Sequence, residues 1–204
     1  MPAMRFFALT YAALPLALAL LSFSLPATAA EKDVIVEQNT GDASPKQRLD
    51  TLFSELKRER DPDKAQGIAT QIRMEWNDSG SATINLLMQW AEKAVEEKRN
   101  AAALDFLDQA IALKPDYAES WNRRATLNYA MGNYRKSMAD INQVLRLEPR
   151  HFGALAGMAA ILGESGNDQL TLKAWERFLE IYPAERTAQE QVNTLSEKLA
   201  GSRT

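Results

Sequence analysis

A step of 34 residues runs through the middle of this chain. It separates Pro115, Pro149 and Pro183, and it separates Gly132 from Gly166. The same step links Ala91, Ala125 and Ala159, small residues where two helices can approach closely. It links Leu87, Trp121 and Leu155, then Leu107, Ile141 and Trp175, then Ala110, Val144 and Phe178. Within each period two apolar stripes at helical spacing flank a turn. A proline closes each period because it cannot continue a helix. No single helix pair buries its stripe alone, so a fixed period of this kind specifies a stacked helical array.

The residues at these positions extend the argument. Trp121, Ala125, Gly132-Asn133-Tyr134, Ile141, Val144 and Pro149 resemble the signature of a tetratricopeptide repeat (TPR). Residues 84-183 hold three such units in phase. The first has Lys98 at the turn where the others have glycine, and the third has Asp168 where the second has Tyr134. The resemblance implies an all-α fold: a right-handed superhelix, or α–α solenoid, of stacked helix pairs. Units are expected at 84-115, 118-149 and 152-183. A divergent unit at 46-76 precedes them, carried by Leu49, Leu52, Phe53 and Leu56, then Ala65, Ile68, Ala69, Ile72 and Trp76. The loop Asn77-Asp78-Ser79-Gly80-Ser81 after it is longer than the repeat spacing calls for. A closing helix at 185-199 caps the array, so the helical domain spans 46-200. The twelve residues linked by the 34-residue step, from Leu87 to Phe178, are the expected core.

Residues 1-30 differ in kind from the rest. Arg5 is the one charge before Glu31, and Ala8 to Leu25 is apolar almost throughout. Pro26 leads into Ala27-Thr28-Ala29-Ala30, small residues of the sort a signal peptidase reads. Residues 1-29 are read as a secretory signal peptide cleaved near Ala29 or Ala30, with residues 30-45 a polar lead-in. The expected location is the periplasm, with no stable membrane span after cleavage.

Composition narrows the chemistry. The 204-residue chain has no cysteine, one histidine and a formal net charge of -3. Disulfides, thiolate metal sites and a cysteine nucleophile are excluded, and so is a polyhistidine metal site. Mild acidity argues against a general nucleic-acid binder. There is no glycine-rich phosphate loop and no nucleophile motif. The expectation is a non-enzyme with no catalytic residues, no metal and no cofactor.

The TPR resemblance implies that the first helix of each pair lines the concave surface. It places there Asn85, Met88, Glu92 and Glu96, then Glu119, Asn122, Thr126 and Tyr129, then Gly153, Ala156, Ala160 and Gly163. Gln47, Asp50, Ser54 and Lys57 would extend the row. The row is acidic and amide-rich in the middle and apolar at its end. The run from Phe152 to Gly163 has no formal charge, apart from what His151 before it can carry. The candidate partner-binding residues are Asn85, Met88, Glu92, Glu119, Asn122, Thr126, Tyr129, Ala156 and Ala160. The expected partner is another protein or a peptide segment, held in the bacterial cell envelope. The alternative is a structural subunit of an envelope assembly that uses its convex face or termini. Arg124 is expected to lie along its helix pair with its head on an acidic side chain or a backbone carbonyl, Arg123 to be solvated, and His151 to hydrogen-bond locally or cap a helix.

Overall fold

The structure is a computed structural model that describes residues 43-201. The expected signal peptide, the lead-in as far as residue 42 and the last three residues lie outside the described residues. Among the described residues there are nine helices and no strand. They are α1 (Pro45–Arg58), α2 (Pro62–Asn77), α3 (Ala82–Glu96), α4 (Asn100–Leu113), α5 (Ala118–Ala130), α6 (Tyr134–Leu147), α7 (Phe152–Glu164), α8 (Asp168–Ile181) and α9 (Arg186–Gly201). Each of the pairs α3–α4, α5–α6 and α7–α8 is an antiparallel helical hairpin that packs on the next, giving an α–α solenoid that α9 closes.

Local chemistry sets the boundaries. Ser44 and Gln47 form a capping box at the start of α1, so Gln47 serves the helix end rather than a binding row. The Asp61 carboxylate accepts from the backbone N–H groups of Asp63 and Lys64 at the start of α2. The turns inside the three solenoid pairs each need one left-handed residue. Gly132 and Gly166 supply it at φ 74° and 72°, and Lys98 takes the same conformation at φ 58°.

Ten of the twelve expected core residues are buried, and the other two, Trp121 and Trp175, are only half-buried. At the start of α5 the Trp121 indole keeps its polar edge at the surface. Trp121 Nε1 donates to the Pro115 carbonyl (3.0 Å), and the Arg124 guanidinium lies over its ring. Trp175 packs edge-to-face on Phe178.

The first helix pair departs from a simple stack. Phe53 and Leu56 of α1 and Ala65, Ala69, Ile72 and Trp76 of α2 are buried in one cluster with Phe152, Leu155, Phe178, Tyr182 and Ala188. Those partners belong to α7, α8, α9 and the corner before α9. The α3–α4 pair has a separate core of its own. The α1–α2 hairpin therefore crosses the inner side of the solenoid instead of extending its end. The first turn of α2 lies beside the α8–α9 corner at Ala184–Arg186. Its last residue, Asn77, accepts from Arg123 on α5. The long loop makes this possible by freeing α2 from the tight turn that would lay it on α3. That loop is itself pinned: Asn85 Oδ1 accepts from the Ser79 N–H and hydroxyl, and Lys114 Nζ donates to the Ser79 carbonyl (2.8 Å).

Candidate functional site

A cavity of about 520 Å³ lies between α2 and the inner helices α3, α5 and α7. Helix α2 contributes Arg73, Trp76 and Asn77, and α3 contributes Ala91, Glu92, Val95 and Glu96. Helix α5 adds Glu119, Asn122, Arg123, Thr126, Leu127 and Ala130, and Leu107 of α4 reaches the floor. His151, Phe152 and Gly153 close the α7 side. The helical repeat puts Glu119, Asn122, Arg123 and Thr126 on one face of α5 because residues three and four apart share a face. A volume of this size falls in the range of ligand pockets.

Polar contacts organise the cavity wall. Arg123 donates to Asn77 Oδ1 (2.8 Å), to Glu92 Oε2 (3.3 Å) and to Glu119 Oε1 (3.4 Å). It thus ties α2, α3 and α5 together, and the expectation of a solvated Arg123 is corrected. Glu119 also accepts from Asn122 Nδ2 (3.1 Å). His151 Nδ1 accepts from the Ala154 N–H (3.0 Å), which makes His151 the cap of α7. The neutral ring then carries its proton on Nε2, which donates to Glu119 Oε2 (3.3 Å). The His151 ring is stacked on Trp76. Phe152 takes the Arg73 guanidinium over its face, 4.9 Å from the centroid.

The candidate row divides. Glu92, Glu119, Asn122 and Thr126 meet at the cavity. Asn85 is occupied in bracing the loop before α3. Met88 is corrected in part: it is mostly buried in the α3–α4 core, and only its edge reaches a second hollow of about 370 Å³ that Asn85 and Glu92 also line. Tyr129 lies outside the cavity wall, where its hydroxyl donates to Glu164 and its ring meets Tyr134. Ala156 packs under the α1–α2 cluster. Ala160 is half-buried on α7 and does not line the cavity. The charge-free stretch of α7 is thus used largely by the chain itself. Gly157 is in close approach too, since a Cβ there would come within 3.3 Å of Ile141 Cδ1.

The wall residues Arg73, Trp76, Asn77, Arg123 and His151 are not named as site residues by sequence reasoning. The apolar stripe ending at Trp76 shows that α2 has a buried face but does not name what covers it. The one signal in the sequence is the long loop after Asn77, which breaks the register.

Among the described residues no group of three or more His, Asp or Glu is placed to hold a metal ion. None of their helices is long and apolar enough to cross a membrane. Arg124 has a structural role: it forms a two-point ion pair with the buried Asp140 (2.9 and 2.6 Å) and a further bond to Asp108 (2.6 Å).

Comparison with known proteins accords with this geometry. The sequence pattern of the tetratricopeptide repeat matches residues 118-151. A TPR repeat-containing protein of Rhizobium etli is 79% identical over 204 residues, covering 100% of both chains. A small glutamine-rich tetratricopeptide repeat-containing protein of Mycosarcoma maydis is 23% identical over 126 residues, 62% of this chain and 36% of its own length. Among solved structures, the first TPR domain of Spaghetti bound to an HSP90 peptide superposes with a TM-score of 0.54 at 19% identity, covering 59% of this chain and 95% of that one. The Sgt2 TPR domain of Aspergillus fumigatus gives 0.54 at 17% identity, covering 60% and 83%. The helix-pair solenoid, the in-phase repeats and the full-length identity to the Rhizobium protein together establish that this chain belongs to the tetratricopeptide repeat family.

Proposed function

We propose that this protein is a non-catalytic scaffold of the bacterial cell envelope that holds a protein or peptide segment on its concave side, in the cavity between α2 and α3, α5 and α7. The observation that carries the reading is the convergence of Glu92, Glu119, Asn122 and Thr126 on one cavity above an apolar floor of Leu107, Leu127 and Phe152. The floor takes an apolar side chain of the segment, and the acids and amides on the wall fix its direction. The related Spaghetti domain holds a peptide, which supports a segment rather than a small metabolite as the ligand. The envelope location rests on the export signal read in residues 1-30.

A photo-reactive residue placed at Thr126, inside the cavity, tests the reading in living cells against one at Gln109 on the solvent side of α4. A discrete adduct from Thr126, lost when Asn122→Ala and Glu92→Arg are added and circular dichroism is unchanged, supports the concave site. An adduct from Gln109 alone, to a protein other than a second copy of this chain, overturns it in favour of an assembly contact on the outer face. Recovery of the chain from the cytoplasm of intact cells, uncleaved, overturns the envelope part alone.

A further inference from the structure

The repeat register exposes a stacking edge that no described residue covers. Leu86 and Trp90 on α3 and Phe106 on α4 correspond, one period later, to Ser120, Arg124 and Asp140. Ser120 and Asp140 are buried, and Arg124 is bonded to Asp108 of the preceding pair. Two periods later the first and third positions are Ala154 and Ala174, again buried. In both later units the preceding helix pair packs along this side, α4 on α5 and α6 on α7. In the first unit the hairpin that would do so lies across the cavity instead. Leu86 and Trp90 are left 42% and 46% exposed, and Leu113, further along the same side of α4, is 65% exposed. Trp90 and Phe106 are in ring contact with centroids 5.6 Å apart, beside a surface hollow of about 350 Å³. An exposed aromatic and aliphatic cluster of this kind marks an interaction surface.

We infer that the α3–α4 edge is the contact between two copies of this chain, meeting about a two-fold axis with Trp90 and Phe106 at its centre. Three features favour a second copy. The other end of the solenoid is closed by α9, fastened by the Lys198–Asp168 ion pair (2.7 Å), so head-to-tail stacking has no open partner edge. An edge-to-edge contact then uses the same surface twice, which is the isologous case. The rim carries both signs, Lys93 and Arg99 with Glu97 and Asp105, so two identical rims need not set like charges against each other. The edge is large enough: two helices about 21 Å long and about 10 Å apart present a raised surface of the scale of the roughly 800 Å² that each partner gives a standard interface.

Sedimentation velocity on the purified chain across roughly 1 to 100 µM tests the contact. The expected result is a dimer that dissociates on dilution and becomes monomeric in Trp90→Glu, with the helical circular dichroism of the parent. The cysteine-free background gives a second readout. Leu86→Cys is expected to be captured as a dimer by a short bis-maleimide, while Met74→Cys, exposed on α2, is not. A monomer throughout the range overturns the inference, whether the edge is open, covered by the chain's own residues 31-42, or kept for a different protein. A dimer that survives Trp90→Glu, or one captured equally through Met74→Cys, overturns it as well. Trp90 is not part of the cavity wall, so the cavity's partner remains bound to Trp90→Glu and the two readings fail separately.

Discussion

The indole of Trp76 lies flat on the imidazole of His151, with ring centroids 4.1 Å apart and planes 7° from parallel. Trp76 comes from the hairpin and His151 caps the helix the hairpin covers. The stack therefore joins the crossing segment to the wall of the cavity. Trp76→Ala removes this contact together with those to Phe53 and Phe152. A buried tryptophan truncated to alanine costs about 3 to 5 kcal/mol. Urea denaturation is expected to show that loss, and hydrogen exchange should show α1 and α2 opening before the solenoid does.

Arg124 is a structural residue, and its removal separates charge from packing. Asp140 is buried, so Arg124→Ala leaves a carboxylate without its two-point partner. Breaking a buried pair from one side costs several kcal/mol, and the partly exposed guanidinium reduces that to about 2 to 3 kcal/mol. Arg124→Lys is expected to recover less than half, because an ammonium cannot span both carboxylate oxygens. Thermal unfolding of Arg124→Ala, Asp140→Ala and the double variant checks this, with the double variant less destabilised than the two singles added together.

Tyr117 gives the opposite sign. Its hydroxyl is buried and has no hydrogen-bond partner among the described residues. Burial, with the Glu119 carboxylate nearby, pushes its ionisation well above the ordinary tyrosine range. Tyr117→Phe removes an unpaired polar group and keeps the ring. Chemical denaturation is expected to show no loss, or a gain of up to about 1 kcal/mol.

Glu164 links stability to pH at the far end of the array. Hydrogen bonds from the Tyr129 and Tyr134 hydroxyls hold its carboxyl below the ordinary value of 4.5. The same bond to Glu164 pushes the Tyr129 hydroxyl above its ordinary value of 10.0. A lowered carboxyl contributes stability in full above 4.5 and loses it as the pH falls through the folded-state value. A raised phenol contributes below 10.0 and loses it as the pH rises through its folded-state value. The contact is therefore intact between these limits and released on either side. Carbon-detected NMR titration is expected to show the Glu164 carboxyl returning toward 4.5 in the Tyr129→Phe, Tyr134→Phe double variant.

Some of this was open to inspection in the sequence because its cause is local. Proline cannot continue a helix and a left-handed turn favours glycine, so Pro115, Pro149, Gly132 and Gly166 fix the period at any distance from the rest of the fold. The inner face of α5 was legible through the TPR resemblance, which named Glu119, Asn122, Thr126 and Tyr129; the first three line the cavity and Tyr129 does not. What escaped depends on contacts distant in sequence. Trp76 at the end of an apolar stripe asks for a cover, and only the assembled chain shows that His151 supplies it. Arg123 reads as a surface residue until Asn77 is brought beside it. Met88 and Glu92 stand one turn apart on α3, yet the first is buried in the α3–α4 core and the second lines the cavity.

The ion pair between Asp50 and Arg150 joins residues 100 positions apart, at 2.7 Å. In a plain solenoid each unit touches its neighbours, so folding can start anywhere and spread. Here the helices made first dock on helices made last, and a long loop must close before their contacts form. A chain emerging from its N terminus carries the apolar stripe of Phe53, Leu56, Ile72 and Trp76 uncovered until α7 and α8 have followed. The crossing hairpin thus turns a sequentially growing array into one whose first and last helix pairs complete each other.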